Sequence, residues 1–313
     1  MIACLWDPRI KTLNAARSSY GINDRLASFT PWVKDTLHIC PSLPEIDLPM
    51  TIASNAHLCG PILLATTPVA HSDPALLEWL QKAPTVLVAL GTNHEARADI
   101  VRELALGIRV LLDSRPDIQV LWKLKADESF QDEDDHMVLD SLGEKIQKGR
   151  VRIESWLKAD PVALLETGNI VCFVHHGGAN SYFEATWYVL PARPARGKTV
   201  TTDLHIRAGI PQIVVPQWYD TYDYATRVEY LGIGVYGNKV AGHKCKVDME
   251  NYKAPRMIDA KEFGGALLKV VGASKGDAAA NVMKERARAV GELCKKSGGR
   301  VQAAQILRDL AIS

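Results

Sequence analysis

Between Thr85 and Leu90 the chain reads TVLVAL, an unbroken run of apolar and β-branched residues. A strand with one face in water alternates polar and apolar side chains. A continuous run belongs to a strand buried on both faces, the situation of a parallel sheet covered by helices. The residues beyond it agree. Gly91-Thr92-Asn93 breaks the run, and Val101, Leu104, Ala105, Ile108, Leu111 and Leu112 then recur at helical spacing until Pro116. Further short strands are expected at Ile118–Leu124, Val151–Ile153, Ile170–Val174, Ile213–Val215 and Ile233–Tyr236. Helical patterns lie around Val138–Ile146, Thr221–Leu231, Ala260–Val271, Ala278–Cys294 and Val301–Leu310. Strands alternating with helices predict an α/β fold with a doubly wound, Rossmann-like parallel sheet. Ligands of such sheets bind at the carboxyl ends of the strands, so the loops after each strand are where chemistry is expected.

Residues 1–84 are less regular. Prolines recur at 31, 41, 44, 49, 61, 68, 74 and 84, with short extended pieces at Leu37–Cys40 and His57–Gly60. This stretch reads as the tail of one domain plus a linker, and 85–313 as the main domain. A formal net charge of +1, from 37 basic and 36 acidic side chains, argues against a nucleic-acid partner, which calls for a basic face. The six cysteines at 4, 40, 59, 172, 245 and 294 include no C-x-x-C pair, so neither a zinc site nor a redox motif is indicated. Asp7, Pro8 and Arg9 interrupt the position of a signal-peptide core, and no apolar run approaches a membrane span. A cytoplasmic location without a transmembrane segment is the expectation. The acidic run Asp127–Asp135 reads as a solvated loop, and no metal or cofactor is expected.

Four segments could carry chemistry. In IVCFVHHGGANSYFE (Ile170–Glu184) a buried strand ends at His175-His176, two glycines follow, and a helix begins. Gly177 and Gly178 permit a tight turn and close approach of a ligand. Asn180 and Ser181 fall in the first helical turn, where free N–H groups make an anion site, and His176 adds a donor. The set suits a diphosphate, and Glu184, one turn on, could accept from the vicinal hydroxyls of a ribose. The alternative is a plain glycine turn with a capping Ser and a buried His. Gly91-Thr92 stands where a phosphate or sugar could be met, or is a strand-to-helix turn with Thr92 or Asn93 as N-cap. In GIPQIVVPQWYD (Gly209–Asp220) a buried strand leads to Asp220, followed by Thr221. Asp220 could bind sugar hydroxyls or cap the next helix. Trp156, just past a strand, could stack on a planar base or pack at a rim.

The order of these motifs is recognisable. Gly-Thr after a strand, then a Trp, then H-G-G-x-N-S-x-x-E, then G-I-P-x-x-x-x-P-x-x-x-D resembles the UDP-glycosyltransferases (glycosyltransferase family 1) of the GT-B superfamily. His175-His176 is similar to the sterol glucosyltransferase and antibiotic glycosyltransferase branch. The resemblance spans Thr85–Leu310 and reaches back to Leu37–Ile62, where Gly60-Pro61 resembles the linker entry. It implies that 85–313 is the nucleotide-sugar-binding half of a GT-B fold and that 1–84 is a truncated remnant of the acceptor domain with its linker. It implies Trp156 on the uracil, His176, Gly177, Gly178, Asn180 and Ser181 around the diphosphate, Glu184 on the ribose, Gly91 and Thr92 on the phosphate and sugar side, and Asp220 with Thr221 at the sugar. The donor would be a UDP-sugar. A hexose, glucose, would pass to a hydroxyl of a small lipophilic acceptor by direct displacement.

The departures from the family pattern are specific. Asp220-Thr221 stands where the family has Asp-Gln, and Leu157-Lys158 follows Trp156 in place of Pro-Gln. None of the nine histidines occupies an N-terminal Gly-His turn, so no general base is nominated. Three readings remain: a glycosyltransferase incomplete as it stands, a non-catalytic donor-binding module needing a separate acceptor-binding chain, or a remnant that binds no ligand. Finally, 187–207 carries Pro191, Pro194, Arg193, Arg196 and Lys198 without apolar periodicity, and reads as an insertion between the helix after the glycines and Gly209, with a functional lid or a partner-binding basic loop as the alternative.

Overall fold

A computed structural model of the chain describes residues 8–23, 36–92, 94–128, 132–187, 210–217, 220–243 and 258–312. The proposed insertion, apart from Trp187, lies outside the described residues. Two compact units are present: Met1–Ile39 with Thr51–His57, and Cys40–Met50 with Leu58–Ser313. The smaller contains helix α1 (Pro8–Ser19). Residues of β1 (His38–Cys40) and β2 (Ala56–Leu58) form a two-stranded ladder.

Among the described residues the larger unit is built on six parallel strands: β3 (Thr85–Ala89), β4 (Gln119–Lys123), β5 (Val151–Glu154), β6 (Ile170–His175), β7 (Gln212–Val214) and β8 (Gly234–Tyr236). Their order is β5-β4-β3-β6-β7-β8, so the winding direction reverses between β3 and β6. Helices α2 (Val69–Ser72), α3 (Pro74–Leu80), α4 (Ala98–Ser114), α5 (Asp132–Gln147), α6 (Pro161–Glu166), α7 (Ala179–Trp187), α8 (Thr221–Tyr230), α9 (Lys239–His243), α10 (Ala260–Val271), α11 (Ala278–Ser297) and α12 (Arg300–Ile312) complete it. The sheet is the α/β, doubly wound arrangement that the apolar runs predict.

Alternate residues of β3 serve opposite faces. Val86 and Val88 join a core with Val101, Leu104 and Ile108 of α4 and Phe263 and Leu267 of α10. Leu87 and Ala89 join another with Leu76 and Leu80 of α3 and Leu164 and Leu165 of α6. A third cluster places Tyr182 and Phe183 of α7 against Ala225 and Val228 of α8. Each fully buried aliphatic or Phe side chain contributes about 1.5–3 kcal/mol, so both faces of the sheet are held by many residues rather than one.

Several local expectations need correction. Residues 58–84 include α3, whose Leu76 and Leu80 are wholly buried in the sheet's second core. Pro74 sits in its first turn, and Asp73 caps it by accepting from the Leu76 N–H at 2.9 Å. Pro fits there because the first-turn N–H has no helical partner. The acidic run is not all loop, since α5 already begins at Asp132. Carboxylates are favourable at a helix N-terminus, which explains the earlier start. Gly91-Thr92 does not lead directly into a helix either. Arg97 precedes α4, and its side chain makes no capping bond. Among the described residues no helix is long and apolar enough to cross a membrane.

Candidate functional site

The two segments singled out by their glycines are far apart in sequence and adjacent in space. Ala89 at the end of β3 is the register partner of His175 at the end of β6. The loops beyond these two strand ends therefore open at the switch point of the sheet, where a doubly wound fold leaves a crevice. The crevice is a cleft of about 760 Å³. Gly91, Thr92, His176, Gly178, Asn180, Ser181, Glu184, Asp220 and Thr221 all line it.

The glycine turn is held from below. His175 is fully buried. Its Nδ1 accepts the Gly177 N–H at 3.1 Å, so the ring proton is on Nε2, which donates to Gln212 Oε1 at 2.9 Å. Gln212 Nε2 donates to Thr186 Oγ1 at 3.1 Å, and Thr186 donates to the Tyr182 carbonyl at 2.6 Å. Burial drives the His175 pKa down to about 3, with the Gln212 bond opposing and His176 adding to the fall. A neutral ring with a fixed tautomer thus sets the turn. Gly177 has φ +88°, and a Cβ there would lie 2.6 Å from the Thr221 carbonyl oxygen and 2.8 Å from Val214 Cγ1. Only glycine fits.

Gly177 itself is not part of the cleft lining, and its N–H is engaged by His175. The sequence placed it among the ligand contacts. In the structure it shapes the turn that carries its neighbours to the cleft.

The turn delivers His176 and α7 to the cleft. The His176 ring lies against Gly91 and Gly178: a Cβ on Gly91 would be 3.0 Å from its Cε1, and one on Gly178 would overlap Nε2. Its Nδ1 is buried without a partner among the described residues. Burial lowers its pKa, and Asp220 pulls the other way. The first backbone bond of α7 runs from the Tyr182 N–H to the Gly178 carbonyl. The N–H groups of Ala179, Asn180 and Ser181 accordingly have no partner within the helix. Glu184, one turn deeper, has its pKa raised to about 7 by burial and then by Asp160.

Across the cleft, Asp220 is exposed and makes no capping bond to α8, so the capping alternative is not realised. Thr221 is buried, and its hydroxyl accepts the Gln217 N–H at 3.2 Å. Trp156 stands apart. It is 59% exposed, it does not line the cleft, and Lys123 Nζ sits 4.1 Å from its ring centroid.

Sequence reasoning missed several lining residues: His94, Lys123, Pro161, Phe173 and Gln217. Lys123 ends β4, beside the switch point, and its position on a central strand was the available signal. Pro161 opens α6, a helix whose Asp-Pro start was legible but unused.

No family model matches the chain. The glycosyltransferase sdnJ of Sordaria araneosa is 53% identical over 309 residues, 98% of this chain and 56% of that protein. A UDP-glycosyltransferase of Talaromyces amestolkiae is 24% identical over 217 residues, 65% of this chain and 34% of that protein. The chain belongs to the UDP-glycosyltransferase family. Its fold agrees with that membership. UDP-glucose:anthocyanidin 3-O-glucosyltransferase in complex with UDP superposes with a TM-score of 0.54 at 16% identity, over 82% of this chain and 48% of that one. Apo UGT2 of Phytolacca americana gives 0.53 at 17% identity, over 82% and 49%. The sheet is thus that of the GT-B fold seen across this family. The chain spans about half the length of the first of these relatives and of both structures.

Proposed function

We propose that the cleft is the donor site of a UDP-sugar-dependent glycosyltransferase, which passes a hexose, glucose, to a hydroxyl of a small lipophilic acceptor. One observation carries this reading. The β3 and β6 ends meet in register at the switch point and present a glycine turn, an imidazole and a helix N-terminus, whose first N–H groups have no partner within the helix, to one open cleft. Such a terminus favours negative charge, and a diphosphate is the anion that fits beside a hydroxyl-binding carboxylate. The name of the sdnJ relative, and the UDP bound to the anthocyanidin enzyme, support the same choice.

In this reading the N–H groups of Ala179–Ser181, with His176, Asn180 and Ser181, hold the diphosphate and stabilise the charge that develops on departing UDP. Gly178 leaves room for the His176 ring. Glu184 takes the ribose hydroxyls, while Gly91 and Thr92 line the phosphate and sugar side. Asp220 reaches the sugar, with Thr221 bracing the turn beneath it. Trp156 stacks on the uracil by the ring face away from Lys123. Displacement at the anomeric carbon is direct, with no metal or cofactor in the step.

Equilibrium titration of UDP into the chain and its His176→Ala variant tests the donor site. Loss of one hydrogen bond to phosphate weakens binding by about 1–3 kcal/mol. Unchanged affinity in the variant removes His176 from the site. Transfer of labelled glucose from UDP-glucose to a lipophilic alcohol tests the reaction. UDP binding without transfer is the outcome expected of a donor-binding module that works with a separate acceptor-binding chain.

A further inference from the structure

His176 is not the only imidazole at the cleft. His94 lies in the loop between β3 and α4. The loop is pinned: the Ala96 N–H donates to the Lys125 carbonyl at 2.7 Å, the Asp127 N–H donates to the Ala96 carbonyl at 3.0 Å, and Ala96 is buried. The pinning fixes His94 close to the carboxyl end of β3. There it lines both the main cleft and a recess of about 10 Å³ behind it, formed with Leu104, Trp122 and Lys125. That recess has room for about one water. His94 Nε2 is buried and has no partner among the described residues. A buried polar nitrogen without a hydrogen bond is costly, and native structures keep one where a ligand or water completes it.

The charges around the ring are few. Burial lowers the His94 pKa, His176 lowers it further, and Asp127 opposes both. Lys123 also lines the cleft, and its side chain rests on the Trp156 ring. The β3–β4 side of the cleft therefore offers an imidazole and an ammonium, facing the same space as His176 and the start of α7.

We infer that His94 is a further phosphate-binding residue of this cleft, gripping a nucleoside diphosphate from the β3 loop while α7 and His176 grip it from the β6 loop. The inference rests on the donor-site reading above and adds a residue that none of the recognisable motifs contains. A neutral imidazole supplies one N–H donor to a phosphate oxygen, and the approaching anion favours its protonation, which strengthens the bond.

The test uses UDP and uridine as probes, titrated into the wild-type chain, His94→Ala and His94→Gln, with thermal melts to verify folding. A hydrogen bond to a charged group implies that His94→Ala weakens UDP about tenfold or more. Uridine, which lacks phosphate, should bind both forms equally, and His94→Gln, which keeps an N–H donor, should recover part of the loss. Unchanged UDP affinity in His94→Ala overturns this inference and leaves the donor site standing. Equal losses for UDP and uridine also overturn it, since they mark a structural role. If the wild-type chain binds UDP no better than uridine, the donor-site reading falls and this inference with it.

Discussion

Replacing His175 by Leu tests how the glycine turn is held. The substitution leaves the Gly177 N–H and Gln212 Oε1 without partners in a fully buried site. Each orphaned group costs about 1–3 kcal/mol. The extra apolar atoms of Leu offset part of this, on the order of 1 kcal/mol. The expected loss of stability is about 3 kcal/mol, measured by urea denaturation. Gln212→Leu alone orphans the His175 Nε2–H, while Thr186 keeps its bond to the Tyr182 carbonyl. In the double variant only the Gly177 N–H is orphaned, so the double should be no less stable than His175→Leu. The cycle should show a coupling of about 2 kcal/mol, and simple additivity within about 0.5 kcal/mol would refute the chain of bonds. The pH dependence gives a second readout. His175 is held unprotonated down to about pH 3, whereas an unfolded His protonates near 6.5. The unfolded state binds more protons in that window, so wild-type stability falls as pH drops through it. The His175 contribution is about 1.4 kcal/mol per pH unit, and the Leu variant should lack that part of the slope.

Other substitutions separate the ligand site from the scaffold. Gly178→Ala places a Cβ on His176 Nε2 at a backbone angle that any residue adopts, so the expected result is UDP binding weakened about tenfold with a near-wild-type thermal melt. Unchanged binding would mean that the ring position does not matter. Glu184 has a raised pKa, about 7, so the folded state holds its proton above the ordinary Glu range. Its contribution to stability is therefore present at low pH and lost as pH rises toward 7, and Glu184→Gln should flatten that decline in denaturation series from pH 4 to 8. Arg150 donates to the carbonyls of Leu112, Arg115 and Ile118, at distances from 2.7 to 3.2 Å. Arg150→Met should cost about 2 kcal/mol of stability and leave UDP affinity untouched, since none of these groups lines the cleft.

The sheet was legible because its strands are buried on both faces, and Thr85–Leu90 and Ile170–Val174 can hardly be anything else. The glycine turn was legible because positive φ and close packing at Gly177 leave no substitute. Proline was the misleading signal. Pro74 begins a helix rather than interrupting structure, and α3 was passed over as linker for that reason; Pro161 likewise opens α6. His94 was invisible because its place depends on the Ala96–Ala126 bridge, a contact between loops that leaves no periodic trace. At Trp156 the motif position suggested stacking, and the structure adds what the sequence could not show, that the ring lies beside the cleft lining with Lys123 over one face.

The donor site itself is tested most directly by a crystal structure of the chain grown with UDP. The diphosphate is expected at the start of α7, within hydrogen-bond distance of the Ala179–Ser181 N–H groups and the His176 ring, with the ribose toward Glu184. UDP bound elsewhere, or a cleft left empty at saturating UDP, would contradict it.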